Sequence, residues 1–397
     1  MTSRSLPAPP WAVVLAGALS LAAAMGIGRF AFTPLLPLMA REGQLDVALG
    51  GWLAAANYAG YLAGALTAAR MPWTAPTLAR VALAATAALT AAMAWPGVAP
   101  WLVLRFLAGA ASAWVFVATS VWCLGTLARR ERQQLGAWVY AGVGCGIALT
   151  GLYCLVGAAS GWPAATLWLH LGALALLLMV PVVWVLVRLE PAAGPAQAPS
   201  ATPTQGDGAM RGLVVCYGLM GFGYILPATF LPALARGVVD DPRLFGLAWP
   251  LFGATAALST LLASWVQRHA SRLQVWAACQ FAMGVGVLLP SLWLNGATIA
   301  ASALLVGGTF MVITLAGVQE MRARAPAQAA LWVGRITAAF AAGQIAGPAT
   351  SALLVPRWGA QGLDLALQAG ALALFGSAVW LWRRTLQKTA TQETANA

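Results

Sequence analysis

The chain has 397 residues, 61% of them hydrophobic and only 8% charged, against roughly 45–50% and about 25% in a soluble domain, so lipid is the solvent for most of it. A formal charge of +12 would point to nucleic acid in a soluble protein, but the arginines stand at the ends of apolar runs rather than on one polar face, and membrane orientation accounts for them better. All five cysteines lie inside apolar runs with no CxxC pair, which argues against a metal site or a disulfide framework.

The first apolar run begins at Trp11 and continues to Met39, past any small-residue cleavage site near Ala22 to Ala24, so a spanning helix is expected rather than a removed signal. Within it, MGIGRFAFTPLLPLMAR at 25–41 holds Arg29. An arginine at a helix centre costs about 2.5–3.5 kcal/mol on insertion scales, so it persists only where water, a partner group or a ligand meets the guanidinium. Further runs long enough to cross about 30 Å of hydrocarbon follow at 48–69, 77–95, 99–128, 135–159 and 162–188. They are continuous rather than alternating, which predicts helices and not barrel strands.

The fourth run carries Arg105, Gly109, Ser112, Phe116 and Thr119 at helical spacing. Such a stripe of small, polar and aromatic residues suits helix packing before it suits a binding wall. The fifth holds Gly142, Gly144 and Gly146 without the strand or downstream acid of a nucleotide loop, so close packing across an interface between halves of the chain is expected. His170 in the sixth reads as a packed or internally bonded histidine.

Residues 189–211, LEPAAGPAQAPSATPTQGDGAMR, contain no apolar run and have the composition of a flexible linker. The chain divides into halves at 1–190 and 212–397, joined by a linker at 191–211. Six more runs follow at 212–235, 244–266, 273–294, 297–321, 328–355 and 363–383. The seventh spells MGFGYILPATFLPALAR at 220–236, with seven of seventeen positions identical to 25–41 and Tyr224 where Arg29 stood. Gly142, Gly146 and Ala148 recur 201 residues later as Gly343, Gly347 and Ala349. A duplication into two parallel six-helix halves follows, the layout of one large class of secondary transporters. Fifteen lysines and arginines fall on the side of the termini and four opposite, which predicts cytoplasmic termini and a multi-pass protein of a bacterial inner membrane.

These residues resemble the major facilitator superfamily, and GIGRFAFTPLLPLM, Gly26 to Met39, is similar to the signature of its YbfB/YjiJ-type branch. Arg105 with Gly109, in RFLAG, resembles the embedded RxxxG motif. Gly142, Gly146, Thr150 and Gly151 resemble GxxxGPxxGG with Ile147 in place of proline, and Gly343, Gly347 and Pro348 stand in the second half. After the second helix the superfamily's GxLxDRxGRR is replaced by GALTAARMPW, with Ala68 where the gating aspartate would stand. The resemblance implies an all-α membrane protein of twelve transmembrane helices that transports a small organic solute, with helices 1, 4, 7 and 10 lining a central cavity.

On that layout Arg29 and Arg105 lie at matching depths and present two forks to one anionic group. Tyr217 and Tyr224 on the seventh helix, and Phe310 and Thr314 on the tenth, join Ser112 and Phe116 as expected substrate contacts. Glu320 and Arg335 are expected to pair as an inner gate. No acid falls near mid-membrane, so a proton relay through a buried carboxylate has no residue to use. With no HExxH, P-loop lysine or nucleophile elbow, the chain is not expected to be an enzyme. No cofactor, metal or nucleic acid is expected; the partners are a small molecule and lipid, and the protein is expected to be a monomer. The favoured expectation is a secondary transporter of a small organic anion. The alternatives are an exporter of amphipathic or aromatic compounds, with Trp114, Phe116 and Tyr217 as the wall, and a membrane sensor that binds without transporting.

Overall fold

The computed structural model describes residues 9–188, 207–236 and 246–396. Within them stand twelve long helices: α1 (Pro10–Arg41), α2 (Val47–Thr67), α3 (Ala75–Ala92), α4 (Val98–Arg129), α5 (Gly136–Ala159), α6 (Ala164–Arg188), α7 (Asp207–Arg236), α8 (Ala248–Val266), α9 (Arg272–Leu292), α10 (Gly296–Arg324), α11 (Ala329–Trp358) and α12 (Ala360–Asn396). Each corresponds to one expected run, and the described residues contain no strand. Among them, eleven helices are long and apolar enough to cross a membrane; the other, α2, carries Asn57, Tyr58 and Tyr61 in its middle. The expected linker lies mostly at 189–206, outside the described residues. Its last residues already belong to α7, which starts at Asp207.

Helix ends are set by local chemistry. Asp46 accepts from Leu49 N at 2.7 Å to cap α2, and capping boxes at Ser271/Gln274 and Asn295/Thr298 start α9 and α10. Glu42 at the end of α1 accepts from Ala164 N at 2.9 Å, fastening the first loop to the start of α6.

The same helix pair meets in each half. α5 lies on α1 with Gly142 against the Ala18 backbone and Gly146 against Ala22; α11 lies on α7 with Gly343 against the backbone of Gly218 and Phe222. The duplication legible in the spelling is therefore present in the packing. The halves then join along α5 with α8 and α2 with α11. At the first crossing, a Cβ added to Gly144 would lie 2.4 Å from Ala257 N and 2.6 Å from Gly253 O, so only glycine lets the backbones approach this closely. This corrects the expectation for the α5 glycines: Gly144 faces the other half, whereas Gly142 and Gly146 face α1, because residues two apart on a helix point in different directions. Large apolar side chains such as Trp52, Leu149, Leu177, Leu262 and Leu372 are exposed on the outer faces, where a lipid-facing surface carries them at no penalty.

Candidate functional site

α1 is not regular. From Ala22 to Arg29 it widens into a π-helix, with Phe30 N donating to Met25 O at 3.0 Å, and it resumes at Phe32. Pro34 has no N–H and its ring clashes with the preceding turn, while Thr33 N turns to Phe30 O at 3.2 Å. The carbonyls of Gly28 and Arg29 are left without their regular helical partners. Arg105 of α4 fills that gap, donating from Nη2 to Arg29 O at 3.2 Å and from Nη1 to Gly28 O at 3.5 Å, with its guanidinium over the Phe32 ring at 4.7 Å. Asn57 of α2 in turn donates to Arg105 O at 3.0 Å. Both Nη atoms of Arg105 thus serve the backbone of α1.

The interruption directs Arg29 inward, where it is 2% exposed. Its guanidinium lies 3.6 Å from the Tyr61 ring centroid and 5.7 Å from that of Tyr58, a desolvated cation–π arrangement worth about 2 kcal/mol. Nη2 donates to Gln344 Oε1 of α11, a hydrogen bond between the halves. Nε and Nη1 have no partner, nor do Gln344 Nε2, the Tyr224 hydroxyl or Trp249 Nε1, all buried. Buried polar atoms are normally hydrogen-bonded, and orphaning one costs about 1–3 kcal/mol. Gln344 touches the guanidinium directly, and unpartnered donors grouped on both suit a polar ligand.

Facing Arg29, the second half presents a row of aromatic rings. Phe30 meets Trp249 edge-on at 6.0 Å; Trp249 stacks on Phe252 at 5.3 Å, Phe252 on Phe310 at 5.3 Å and Phe310 on Tyr224 at 5.1 Å. Phe340 tilts against Tyr224 and Tyr217 at 5.8 Å each. Arg29, Tyr224 and Phe310 of the expected set therefore share one locus, with Tyr217 beside it. Thr314 stands there too, next to Tyr217, and donates to Phe310 O. The remaining expected residues sit elsewhere. Ser112 donates to Gly109 O of its own helix, and Phe116 packs edge-on against Tyr140 at 5.9 Å. Trp114 donates to Thr67 of α2 at 2.9 Å, within the first half. Arg105 does not offer a second fork beside that of Arg29, since its Nη atoms cap carbonyls.

The expected gate pair does not form. Glu320 is held by Arg324 one turn along α10 at 2.7 Å and by Arg272 of α9 at 3.4 Å, both in its own half. Arg335 is exposed and lies over Trp332 of its own helix at 4.5 Å. The cation that joins the halves near the terminal side is Arg322, donating to Ser120 O at 2.9 Å and Val121 O at 3.3 Å of α4. His170 is exposed and hydrogen-bonded to Tyr153 at 2.7 Å, in keeping with an internally bonded histidine.

Sequence reasoning did not single out Tyr58, Tyr61, Gln344, Trp249, Phe252 or Arg322. Asn57, Tyr58 and Tyr61 repeat at helical spacing in a membrane span, a signal that was present. Gln344, a lone amide within an apolar run, was a weaker one.

The family model described as "Uncharacterised MFS-type transporter YbfB" matches residues 21–380. The structure of the human organic anion transporter MFSD10 (TETRAN) is similar, with a TM-score of 0.69 at 16% identity over 94% of this chain and 98% of that one. At that identity the likeness shows a shared fold. No curated protein matches the chain in sequence.

Proposed function

The chain belongs to the YbfB-type family of major facilitator transporters, a membrane transporter and not an enzyme, and from that premise we propose that it carries a small organic anion by alternating access of its two halves. One observation carries the reading: the buried guanidinium of Arg29 keeps two donors unpartnered while its third nitrogen contacts Gln344 of the opposite half. A buried cation without a counter-ion is held in place by the fold and completed by a ligand anion. Because Arg29 belongs to α1 and Gln344 to α11, an anion bound there would sit between the halves and sense their relative position. Tyr224 and Phe310 would complete the site, and the activity of the similar human protein, an organic anion transporter, agrees with the anion assignment. Tyr217 and Thr314 would lie one layer away, Ser112 and Phe116 would support α4, and Arg105 would hold α1 in shape.

In this reading the protein is a monomer of the bacterial inner membrane with cytoplasmic termini, an orientation that labelling of a cysteine placed at 191–206 reads directly. The substrate class is tested by thermal shift of the purified protein, because a ligand that favours the folded state stabilises it by mass action. Organic carboxylates should raise the melting temperature of the native protein and not that of Arg29→Gln. Stabilisation by organic amines alone, or equal stabilisation of both proteins by carboxylates, would overturn the assignment.

A further inference from the structure

We infer that the substrate is a planar aromatic monocarboxylate; this rests on the anion reading above and narrows it. The single charge follows from the count of available cations. Among the described residues only two basic side chains are buried, Arg29 and Arg105. Both Nη atoms of Arg105 are engaged by the carbonyls of Gly28 and Arg29, and only its Nε lacks a partner. Arg29 keeps Nε and Nη1 free on either side of Nη2, which spends one N–H on Gln344. With the second N–H of Nη2, one of them makes a two-donor edge that matches the two oxygens of one carboxylate. A second carboxylate would be buried without a cation, which the site disfavours strongly.

The ring follows from the shape of the opposite wall. Trp249, Phe252 and Phe310 stack in sequence with interplanar angles of 4° and 20°, and Tyr224 continues the row at 29°. A wall of near-parallel aromatic faces favours a flat ring packed against it. It packs poorly on a puckered saturated one, which cannot adopt the offset stack. The row reaches Phe30, the residue beside Arg29, through Trp249, so an anion on Arg29 brings the body of its molecule onto these faces. Trp249 Nε1 and Gln344 Nε2 are donors without acceptors, and the Tyr224 hydroxyl also lacks a partner. They favour a neutral acceptor on the ring, such as a hydroxyl or ether oxygen.

The test uses the purified full-length chain with four probes: benzoate, cyclohexanecarboxylate, benzamide and phthalate. Benzoate should bind about tenfold more tightly than cyclohexanecarboxylate, the scale of a stacking contribution beyond burial, while benzamide and phthalate give no measurable shift. In Phe252→Leu the preference for benzoate over cyclohexanecarboxylate should shrink to about twofold or less while the need for a carboxylate remains. Equal affinity for the two monocarboxylates, with both lost in Arg29→Lys or Arg29→Gln, keeps the anion reading and overturns the aromatic one. Binding of phthalate as tight as benzoate overturns the single charge. Benzamide binding as well as benzoate, or no shift with any carboxylate, overturns both the inference and the anion reading beneath it.

Discussion

Two buried arginines, Arg29 of α1 and Arg105 of α4, differ in the partners they hold, and substitution should separate their roles. The bonds of Arg105 to two carbonyls at the α1 interruption are charge-assisted, each worth about 1.5–3 kcal/mol. Arg105→Gln should therefore lower apo-protein stability by about 2–4 kcal/mol, with Arg105→Lys intermediate because an ammonium does not span both carbonyls. Arg29→Gln is expected to leave apo stability within about 1 kcal/mol of the native protein. Loss of the Tyr61 ring contact and the Gln344 bond is offset by relief of two unpartnered donors. Melting temperatures without ligand read this directly. If Arg29→Gln proves the more damaging of the two, the assignments of ligand group and scaffold group are reversed.

At the scale of elements, α10 and α4 are joined near the terminal side by Arg322, whose guanidinium reaches Ser120 O and Val121 O past Gly125, a residue with no side chain to block it. The acid–arginine latch implied by family resemblance lacks its aspartate at Ala68, and Glu320 is committed to Arg272 and Arg324. The contact of Arg322 with these carbonyls joins the halves there instead. Arg322→Gln should shift the population toward the form open there, by roughly tenfold if one charged hydrogen bond of about 1.5 kcal/mol is lost. Leu315, fully buried on α10 and close to the Gly136 turn of α5, reports the change. A cysteine at Leu315, in a background with the exposed Cys145 replaced, should react several-fold faster with a thiol reagent in the Arg322→Gln protein. An unchanged rate removes Arg322 from the gate.

For the whole molecule, the distribution of buried charge bears on how an anion would be carried. Among the described residues the buried charged groups are Arg29, Arg105 and Glu320, and Glu320 is paired at the terminal end. No buried carboxylate stands beside Arg29 to take and release a proton. If the substrate is an anion, an empty carrier must rearrange around an uncompensated cation, which slows its return. Exchange of internal for external anion should then outpace net movement by tenfold or more in proteoliposomes, with a pH gradient between about 6 and 8 changing the rate less than twofold for a fully ionised probe. Net flux as fast as exchange would falsify this mode, and strict proton dependence lost in Glu320→Gln would make that residue a relay.

Composition and periodicity by themselves determined the membrane class, the number and position of the helices and the twofold repeat. Those properties follow from length and apolarity summed over some twenty residues at a time, where neighbours in the chain suffice. Arg29 was legible for the same reason, since a charge in an apolar run is anomalous wherever it falls. Tertiary structure alone decided which arginine is free, because only the π-segment of α1 shows that the fork of Arg105 is taken by the carbonyls of Gly28 and Arg29. It alone brought Gln344 and Trp249 to the site and turned Glu320 away from Arg335. Those outcomes depend on the rotation of each helix about its axis and on contacts between residues hundreds of positions apart, and neither is written in local spacing.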